Sequence, residues 1–396
     1  MNIRGLIASC EDTDYRKRPI IPKELAALAS RPEEVVITPS GEVRQAGADS
    51  CSSLIAQFRD LAEASLWFFE RAILGLDQLN ETLHLPVANW VQQCPPYRKL
   101  LLLPRDHLKS SLVAKGMSIH MLVQRKEANC YLAGKEGCNT RILLANETAT
   151  NAQHFLRWIA AKLEGCELLK ALWPHRVWVH ARKESRKWNE NELLVPRNED
   201  YPEASIETIG VGGAVTGRHY DVLIKDDLIS LEAANSPPSM AAARQWHIAS
   251  RALLDDPRRG LEFTVGTRWA VGDIYEDIEE DPSVDTVCHP AIEAGEVIFP
   301  EKFDLETLAQ LKREQGPLFY LLYMLQPAGE GVSDFNMDHI RHWTASSDGK
   351  MTIEADERDA TLKRHAEGGL LVQPGRVASA DLLAQLMKRG ERLRYC

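Results

Sequence analysis

A lysine and two serines, Lys109, Ser110 and Ser111, close the stretch Leu100-Leu101-Leu102-Leu103-Pro104-Arg105-Asp106-His107-Leu108. An apolar run that stops at a proline and gives way to Lys-Ser reads as strand, tight loop, helix. Such a loop can cradle a nucleoside triphosphate. Backbone N–H groups at the helix start face the phosphates, the Lys109 ammonium reaches the β/γ-phosphates, and the Ser110 hydroxyl can hold Mg²⁺. The usual pattern G-x-x-x-x-G-K-[ST] asks for glycine where this chain has Leu103 and Leu108. By itself the stretch reads equally as a strand followed by a capped surface helix with a solvated lysine.

A second element lies downstream. Asp221-Val222-Leu223-Ile224-Lys225-Asp226-Asp227 is a hydrophobic run that ends in paired carboxylates. A buried strand of this kind carries an acid to its C-terminal edge, where Asp226 would order Mg²⁺ and Asp227 would polarise an attacking water. The bland alternative is an Asp-Asp turn after a core strand. A third element, Leu261-Glu262-Phe263-Thr264-Val265-Gly266-Thr267-Arg268-Trp269, is β-rich and ends in Gly-Thr-Arg. A Thr and an Arg at a strand end can sense a γ-phosphate and pass its loss onward.

In this order the elements resemble the large terminase subunits of tailed bacteriophages, the ATPase motors that package double-stranded DNA into procapsids. The resemblance runs from about Leu61 to Gly331. It takes in Leu66-Trp67-Phe68-Phe69-Glu70, Leu83-His84-Leu85-Pro86, the loop itself, Arg141-Ile142-Leu143-Leu144-Ala145-Asn146-Glu147-Thr148, Thr216-Gly217-Arg218-His219-Tyr220-Asp221, Gly266-Thr267-Arg268-Trp269 and Tyr323-Met324-Leu325-Gln326-Pro327.

The resemblance implies an α/β fold of the P-loop NTPase class (ASCE-type), with a mostly parallel sheet and helices on both faces. A helical N-terminal segment and a small C-terminal tail would flank it. It implies ATP and Mg²⁺ as cofactors. Pro104, Arg105, Asp106, His107, Leu108, Lys109, Ser110 and Ser111 would line the nucleotide, with Arg105 a second cation over the phosphates. Ser110 and Asp226 would hold the metal, and Asp227 would take the catalytic position where many relatives carry Glu. Arg218 resembles an arginine that some relatives insert into a neighbour's site, though it reads equally as a loop residue. Gly266, Thr267 and Arg268 would couple hydrolysis to movement. The implied partners are double-stranded DNA, a portal protein and a small terminase subunit, in a homo-oligomeric ring docked at the procapsid in the host-cell cytoplasm.

The surrounding periodicities supply elements able to position these residues. Strands are expected at 100–103, 141–146, 192–196, 205–211, 221–226 and 261–266, and helices at 110–125, 149–164, 238–255 and 304–316. Strands alternating with helices imply a parallel sheet whose ligands bind at the strand C-termini. Asp304 reads as an N-cap, with Leu305, Leu308 and Leu311 as the buried face. Residues 51–99 read as helical and packed. Their aromatics read as core packing; the resemblance adds that Tyr97 or Trp90 could stack on an adenine.

Composition bounds the rest. The chain has 396 residues, 44% hydrophobic and 26% charged, within the globular range. No apolar run approaches the ~18 residues of a membrane span, and the N-terminus lacks the core of a signal peptide. Eight cysteines include no C-x-x-C pair, which favours free thiols over a zinc site built on one. A formal net charge of −10 argues against a protein that coats DNA, but not against a motor that grips through local patches. Candidate patches are Arg176, Arg182, Lys183, Arg186 and Lys187, with Trp178 and Trp188 interleaved, and Arg258-Arg259.

The chain is expected to divide into an arm over 1–50, the ATPase domain over 51–330, and a linker with a truncated segment over 331–396. The last is too short for the nuclease domain that the resemblance would add, so no nuclease activity is expected. Asp381 reads there as a helix N-cap. Two other functions fit the motifs: a helicase-like P-loop remodeller, and a docking module whose phosphate loop has decayed.

Overall fold

The computed structural model describes residues 36–37, 43–44, 48–214, 216–326, 343–345 and 351–353. Contacts divide the chain into two units, Met1–Pro327 and Ala328–Cys396. The expected tail and Asp381 lie outside the described residues, apart from a short antiparallel hairpin in the second unit, β12 (Trp343–Ala345) with β13 (Met351–Ile353). Most of the expected arm is likewise outside them. What is described there is the hairpin of β1 (Val36–Ile37) and β2 (Val43–Arg44) and the start of helix Ala48–Ala64.

The first unit is built on a seven-stranded sheet of β3 (Arg98–Leu102), β4 (Ile142–Asn146), β5 (Glu192–Leu193), β6 (Ile206–Gly210), β7 (Val222–Asp226), β8 (Leu261–Gly266) and β9 (Asp285–Cys288), in the order β5-β6-β4-β7-β8-β3-β9. All neighbours are parallel except β5 against β6. β8 therefore lies between the strand that feeds the Lys-Ser loop and the strand that ends in Asp-Asp. Two further two-residue strands, β10 (Ile292–Glu293) and β11 (Glu296–Val297), form a separate hairpin.

The strands are apolar throughout because both faces are covered, the usual state of a parallel sheet. Successive side chains alternate, so Leu101, Ile142, Leu144, Val222, Ile224 and Phe263 pack on one face, with Leu156, Ile159 and Met117. Leu100 and Leu102 pack on the other, with Met240, Trp246, Ile274 and Tyr275. The fold is the α/β arrangement that the sequence implied, a mostly parallel sheet with helices packed on both faces.

Several expected elements fall where they were placed. Thr148 accepts from Asn151 N–H and caps helix Ala149–Gly165, and Asp304 accepts from Thr307 N–H at 2.7 Å ahead of helix Leu305–Gln315. Leu305, however, is 57% exposed, while Leu308 is 1% exposed. Leu305 is the first residue of the helix and lies off the stripe that faces the core. Two elements carry weak sequence signals: the edge strand β9, whose side chains are only partly covered, and the six-residue helix Ile274–Glu279.

The segment after the loop is helical but opens with a π-wound stretch, Ser111–Met117, before the α-helix Ser118–Val123. A second π turn, Phe69–Ile73, packs against it. Gly116 makes the approach possible, since a Cβ there would meet Glu70 Oε1 at 1.9 Å. Burial raises the Glu70 carboxyl well above its usual range, and neither oxygen has a hydrogen-bond partner among the described residues.

One buried ion pair ties β7 to β8 beneath the acid pair. Lys225 Nζ donates to Glu262 Oε1 at 2.7 Å and to His247 O at 3.2 Å, and Arg251 Nε donates to Glu262 Oε2 at 2.9 Å. Burial works against the Glu262 charge, but Lys225, His247 and Arg251 outweigh it and hold the carboxyl down to about 2. Its stabilising contribution is therefore present above the unfolded value of ~4.3 and is lost as pH falls through about 2. Glu262→Ala leaves the Lys225 ammonium buried and unpaired. Chemical denaturation at pH 7 is expected to show a loss of ~3–5 kcal/mol, largely recovered by the double variant Lys225→Met with Glu262→Leu.

Candidate active site

The parallel ladders bring distant residues to one edge. Leu102 pairs with Gly266, Asp226 with Val265, and Ala145 with Lys225. Beyond the ladders the strand ends are stitched together. Leu103 N–H donates to Gly266 O at 3.4 Å, Asp227 N–H to Val265 O at 2.9 Å, and Glu147 N–H to Asp227 O at 3.0 Å. The Thr267 hydroxyl donates to Leu103 O at 3.3 Å. The Lys-Ser loop, the acid pair and Gly-Thr-Arg thus meet at the C-terminal edge of the sheet, where parallel α/β folds bind ligands.

The loop achieves a phosphate-cradle turn without glycine. Asp106 and Leu108 have φ of 64° and 60°, so Leu108 adopts the left-handed conformation for which the usual pattern supplies glycine. A non-glycine residue there costs ~1–2 kcal/mol and persists where the surroundings hold it. The surroundings do so. His107 is fully buried and its ring stacks on Phe303 at 4.9 Å. His107 O lies 3.2 Å from His84 Nε2. A carbonyl there requires the proton on Nε2, which leaves Nδ1 to accept from Asn80 N–H at 3.0 Å. Burial lowers both His84 and His107 to about 4, so both are neutral at pH 7. Lys302 Nζ donates to Asp106 O at 2.9 Å, and Arg105 N–H to Leu322 O at 2.9 Å. Pro104 and Lys109 are buried, while Ser110 and Ser111 are partly exposed. Leu112 N–H closes back onto Leu108 O at 3.0 Å. The N–H groups of Lys109, Ser110 and Ser111 precede it and have no intrahelical acceptor.

Across from the loop, Asp226 is 1% exposed and neither carboxylate oxygen has a hydrogen-bond partner among the described residues. Burial, and then the adjacent Asp227, push it up to about 7, against the opposing pull of Lys109, Ser110 and Lys115. Asp227 has φ of 45°. Its Oδ2 lies 3.8 Å from Lys109 Nζ, and its Oδ1 is buried without a partner. Hard divalent cations take oxygen ligands, and three orphaned carboxylate oxygens beside the Ser110 hydroxyl fit Mg²⁺. The Lys109 ammonium and the free N–H groups of the helix start fit the phosphates of a nucleotide.

Other expected residues lie elsewhere or are already engaged. Arg105 is exposed at the loop tip. Arg268 is 8% exposed and bonded to carboxylates, with Asp273 at 3.1 Å, Glu276 at 2.6 Å and Glu279 at 3.5 Å. Asp273 Oδ2 also accepts from Trp269 N–H at 2.8 Å and its Oδ1 from Tyr275 N–H at 3.1 Å. Arg268 thus folds the segment after Thr267. Arg218 pairs with Glu207 at 3.0 Å, ahead of the five-residue β7. At ~3.3 Å per strand residue this places it roughly 17 Å or more from its own chain's acid pair, on the opposite edge.

Tyr97 and Trp90 also sit at that opposite edge. Tyr97 O accepts from Glu262 N–H, and Trp90 Nε1 donates to Asp285 Oδ2 at 2.6 Å. Neither can stack on an adenine whose phosphates lie at Lys109, because both precede or flank the N-terminal end of β3. In the first basic patch, Arg182 is paired with Glu164 at 3.0 Å and Lys187 with Glu192 at 2.9 Å, and Arg176 is paired with Glu136. Trp178 and Trp188 donate to Leu194 O and Glu164 Oε1. Lys183, Arg186, Arg258 and Arg259 remain exposed.

The site also contains residues to which the sequence reading gave no role. Tyr275 OH accepts from Leu228 N–H at 3.1 Å, next to Asp227, and its ring covers Gly266, where a Cβ would meet Cζ at 2.3 Å. Asn146 Nδ2 donates to Asp226 O at 2.7 Å. The Lys115 ammonium lies 5.4 Å from the Phe155 ring and 5.7 Å from the Trp158 ring. Their pairings span up to 80 residues, so only the aromatic spacing of Phe155 and Trp158 was visible locally.

No family model matches the chain, and no curated protein matches it. Among solved structures it is similar to a mutant of the large terminase ATPase domain of Thermus phage P74-26, at 16% identity and TM-score 0.38, covering 58% of this chain and 88% of that one. The unmutated domain gives 14% identity and TM-score 0.36 over the same shares. The large terminase of bacteriophage HK97 gives 13% identity and TM-score 0.38, covering 93% of this chain and 77% of that one. No described helix is long and apolar enough to cross a membrane.

Two tests follow from this geometry. Because the Asp226 value is raised on folding, its ionisation costs stability as pH rises from the unfolded value of ~3.9 through about 7. Asp226→Asn is expected to raise the nucleotide-free Tm by ~5 °C at pH 8 and to change it little near pH 4. Gly266→Ala forces the Tyr275 ring from its seat, and is expected to cost ~1–3 kcal/mol in denaturant titrations.

Proposed function

We propose that this chain binds and hydrolyses ATP with Mg²⁺, and that it does so as a terminase-type motor moving double-stranded viral DNA into a procapsid. The observation that carries the reading is the meeting of Lys109, Ser110, Asp226 and Asp227 at one sheet edge, with buried carboxylate oxygens that nothing else satisfies. Support for the motor, as against a simpler ATPase, comes from the order of motifs along the chain. It also comes from Thr267, which links the third motif directly to the start of the phosphate loop.

In this reading Lys109 and the helix-start N–H groups hold the β- and γ-phosphates, with Arg105 above them. Ser110 and Asp226 hold the metal, which when bound screens the phosphate charge. Asp227 orients water in line with the γ-phosphorus. Its side chain is one methylene shorter than Glu, and the positive φ at this residue turns the carboxylate toward Lys109. Thr267 carries the change in phosphate charge to β8. Arg218, on the far edge of its own sheet, can meet a γ-phosphate only in a neighbouring copy, as a ring would provide. A portal protein and a small terminase subunit complete the assembly in the host cytoplasm.

The test is Mg²⁺-dependent ATP hydrolysis with and without linear duplex DNA. Lys109→Ala and Asp227→Ala are each expected to lower kcat by ~10²–10³-fold, and duplex is expected to stimulate the wild type. A wild type that neither binds nor hydrolyses ATP at high protein concentration would overturn the reading in favour of a docking module. Strand separation on a forked duplex would favour a helicase-like remodeller.

A further inference from the structure

The turn that follows β7 must hold Asp227 in a conformation that a side chain resists. Asp227 has φ of 45°, and in that conformation its Oδ2 lies 3.8 Å from Lys109 Nζ. What secures the turn comes largely from β4, 80 residues earlier. Asn146 Nδ2 donates to Asp226 O at 2.7 Å, and Glu147 N–H donates to Asp227 O at 3.0 Å. The Glu147 side chain then reaches past both acids, and its Oε1 accepts from the Ser230 hydroxyl at 2.7 Å. Ser230 Oγ in turn accepts from Ala233 N–H at 3.3 Å and caps helix Leu231–Ala234. One residue of β4's exit therefore holds the turn at both ends, by its peptide at Asp227 and by its carboxylate at Ser230.

We infer that Glu147 is the positioning residue for the Asp227 carboxylate, acting through Ser230. The inference rests on the ATPase reading for its kinetic consequence, but the clamp itself is a property of the fold. Neither the Asp-Asp run nor the Lys-Ser loop contains it. Without the Glu147 carboxylate the Ser230 end is released, and Asp227 can relax toward φ below zero. That swings its carboxylate away from Lys109 and from the line of attack. Lys109 and the helix-start N–H groups that would hold the phosphates lie outside this turn, so the loss should fall mainly on the chemical step and little on nucleotide affinity.

A glutamine retains an amide oxygen able to accept from Ser230, so Glu147→Gln separates positioning from proton transfer. Glu147→Ala, Glu147→Gln, Ser230→Ala and the double alanine variant are compared with the wild type in two measurements. The first is steady-state ATP hydrolysis. Glu147→Ala and Ser230→Ala are each expected to lower kcat by ~10–100-fold with KM for ATP nearly unchanged. The double variant should be no worse than either single variant, and Glu147→Gln should stay near wild type. The second is hydrogen–deuterium exchange over residues 226–234 of the nucleotide-free protein, which needs no activity. Exchange there should quicken by ~10-fold or more in Glu147→Ala and not in Glu147→Gln.

Wild-type turnover and exchange in Glu147→Ala would overturn the inference while leaving the ATPase reading intact. A Glu147→Gln variant as inactive as Glu147→Ala, with exchange unchanged in both, would overturn it too, by placing the Glu147 carboxylate in the chemistry itself. If the wild type does not hydrolyse ATP, the ATPase reading fails. The exchange measurement then decides the clamp alone, for it if the turn loosens and against it if it does not.

Discussion

Two neighbouring carboxylates at the end of a fully buried strand are the constraint around which this structure is arranged. Asp226 is sealed from water, its carboxylate oxygens lack a well-formed hydrogen bond among the described residues, and it stands beside a second acid, so its charged form is costly in the interior. A carboxylate so placed can take its compensation from outside the chain. Lys109 lies 3.8 Å from the neighbouring Asp227, and the Lys109, Ser110 and Lys115 side chains pull the Asp226 value back without outweighing its burial. By contrast, three other deep acids are satisfied internally. Glu262 is held by Lys225 and Arg251, Asp273 by Arg268 and four backbone N–H groups, and Asp221 by Arg141 and Lys135. The difference between these carboxylates marks Asp226 as the candidate site residue and the other three as structural ion pairs.

The same site carries backbone strain, at Asp106 and Leu108 on one side and at Asp227 on the other. Strain of this kind needs a rigid support. The loop has two neutral buried histidines, a stacked phenylalanine and a lysine on its outer carbonyl. The acid turn has Asn146 and Glu147 from β4, Val265 from β8 and Tyr275 from the helix that Asp273 caps. A glycine-rich loop would meet the same geometry with less support. Here side chains do what glycine's freedom would do, and they make the loop's position depend on the segments 80–84 and 299–303. The two strained turns are also joined, because Gly266 packs under Tyr275 while Thr267 bonds to Leu103. Displacement at either turn therefore reaches β8 directly.

Much of this was legible in the order of residues. Alternating apolar runs and amphipathic stretches were enough to place β3, β4, β6, β7 and β8 and the helices between them. A parallel sheet buries both faces and marks its strands as continuous apolar segments. The edge strand β9 was missed because its residues, Asp285-Thr286-Val287-Cys288, are only partly covered and carry no such run. Helix Ile274–Glu279 was missed because six residues hold too little periodicity to register, though its cap Asp273 was there to be seen. The adenine stacking that the resemblance offered to Tyr97 or Trp90 fails because both lie at the opposite edge. A sequence shows that an aromatic precedes a strand, but the Lys-Ser loop lies at the strand's other end.

The sequence by itself determined which groups could do chemistry. Lys109-Ser110, Asp226-Asp227 and Gly266-Thr267-Arg268 each stand where an apolar run ends, and in parallel strands run ends share an edge. Only the tertiary structure decided what those groups are free to do. It committed Arg268 to Asp273, Glu276 and Glu279, and it set Arg218 on the far edge. It left Asp226 without a partner and gave Glu147 hold of the turn that aims Asp227. The reason is physical. Local patterning encodes burial and turn chemistry between near neighbours. Charge compensation in the interior is settled between residues that meet only when β4, β7, β8 and β3 pair.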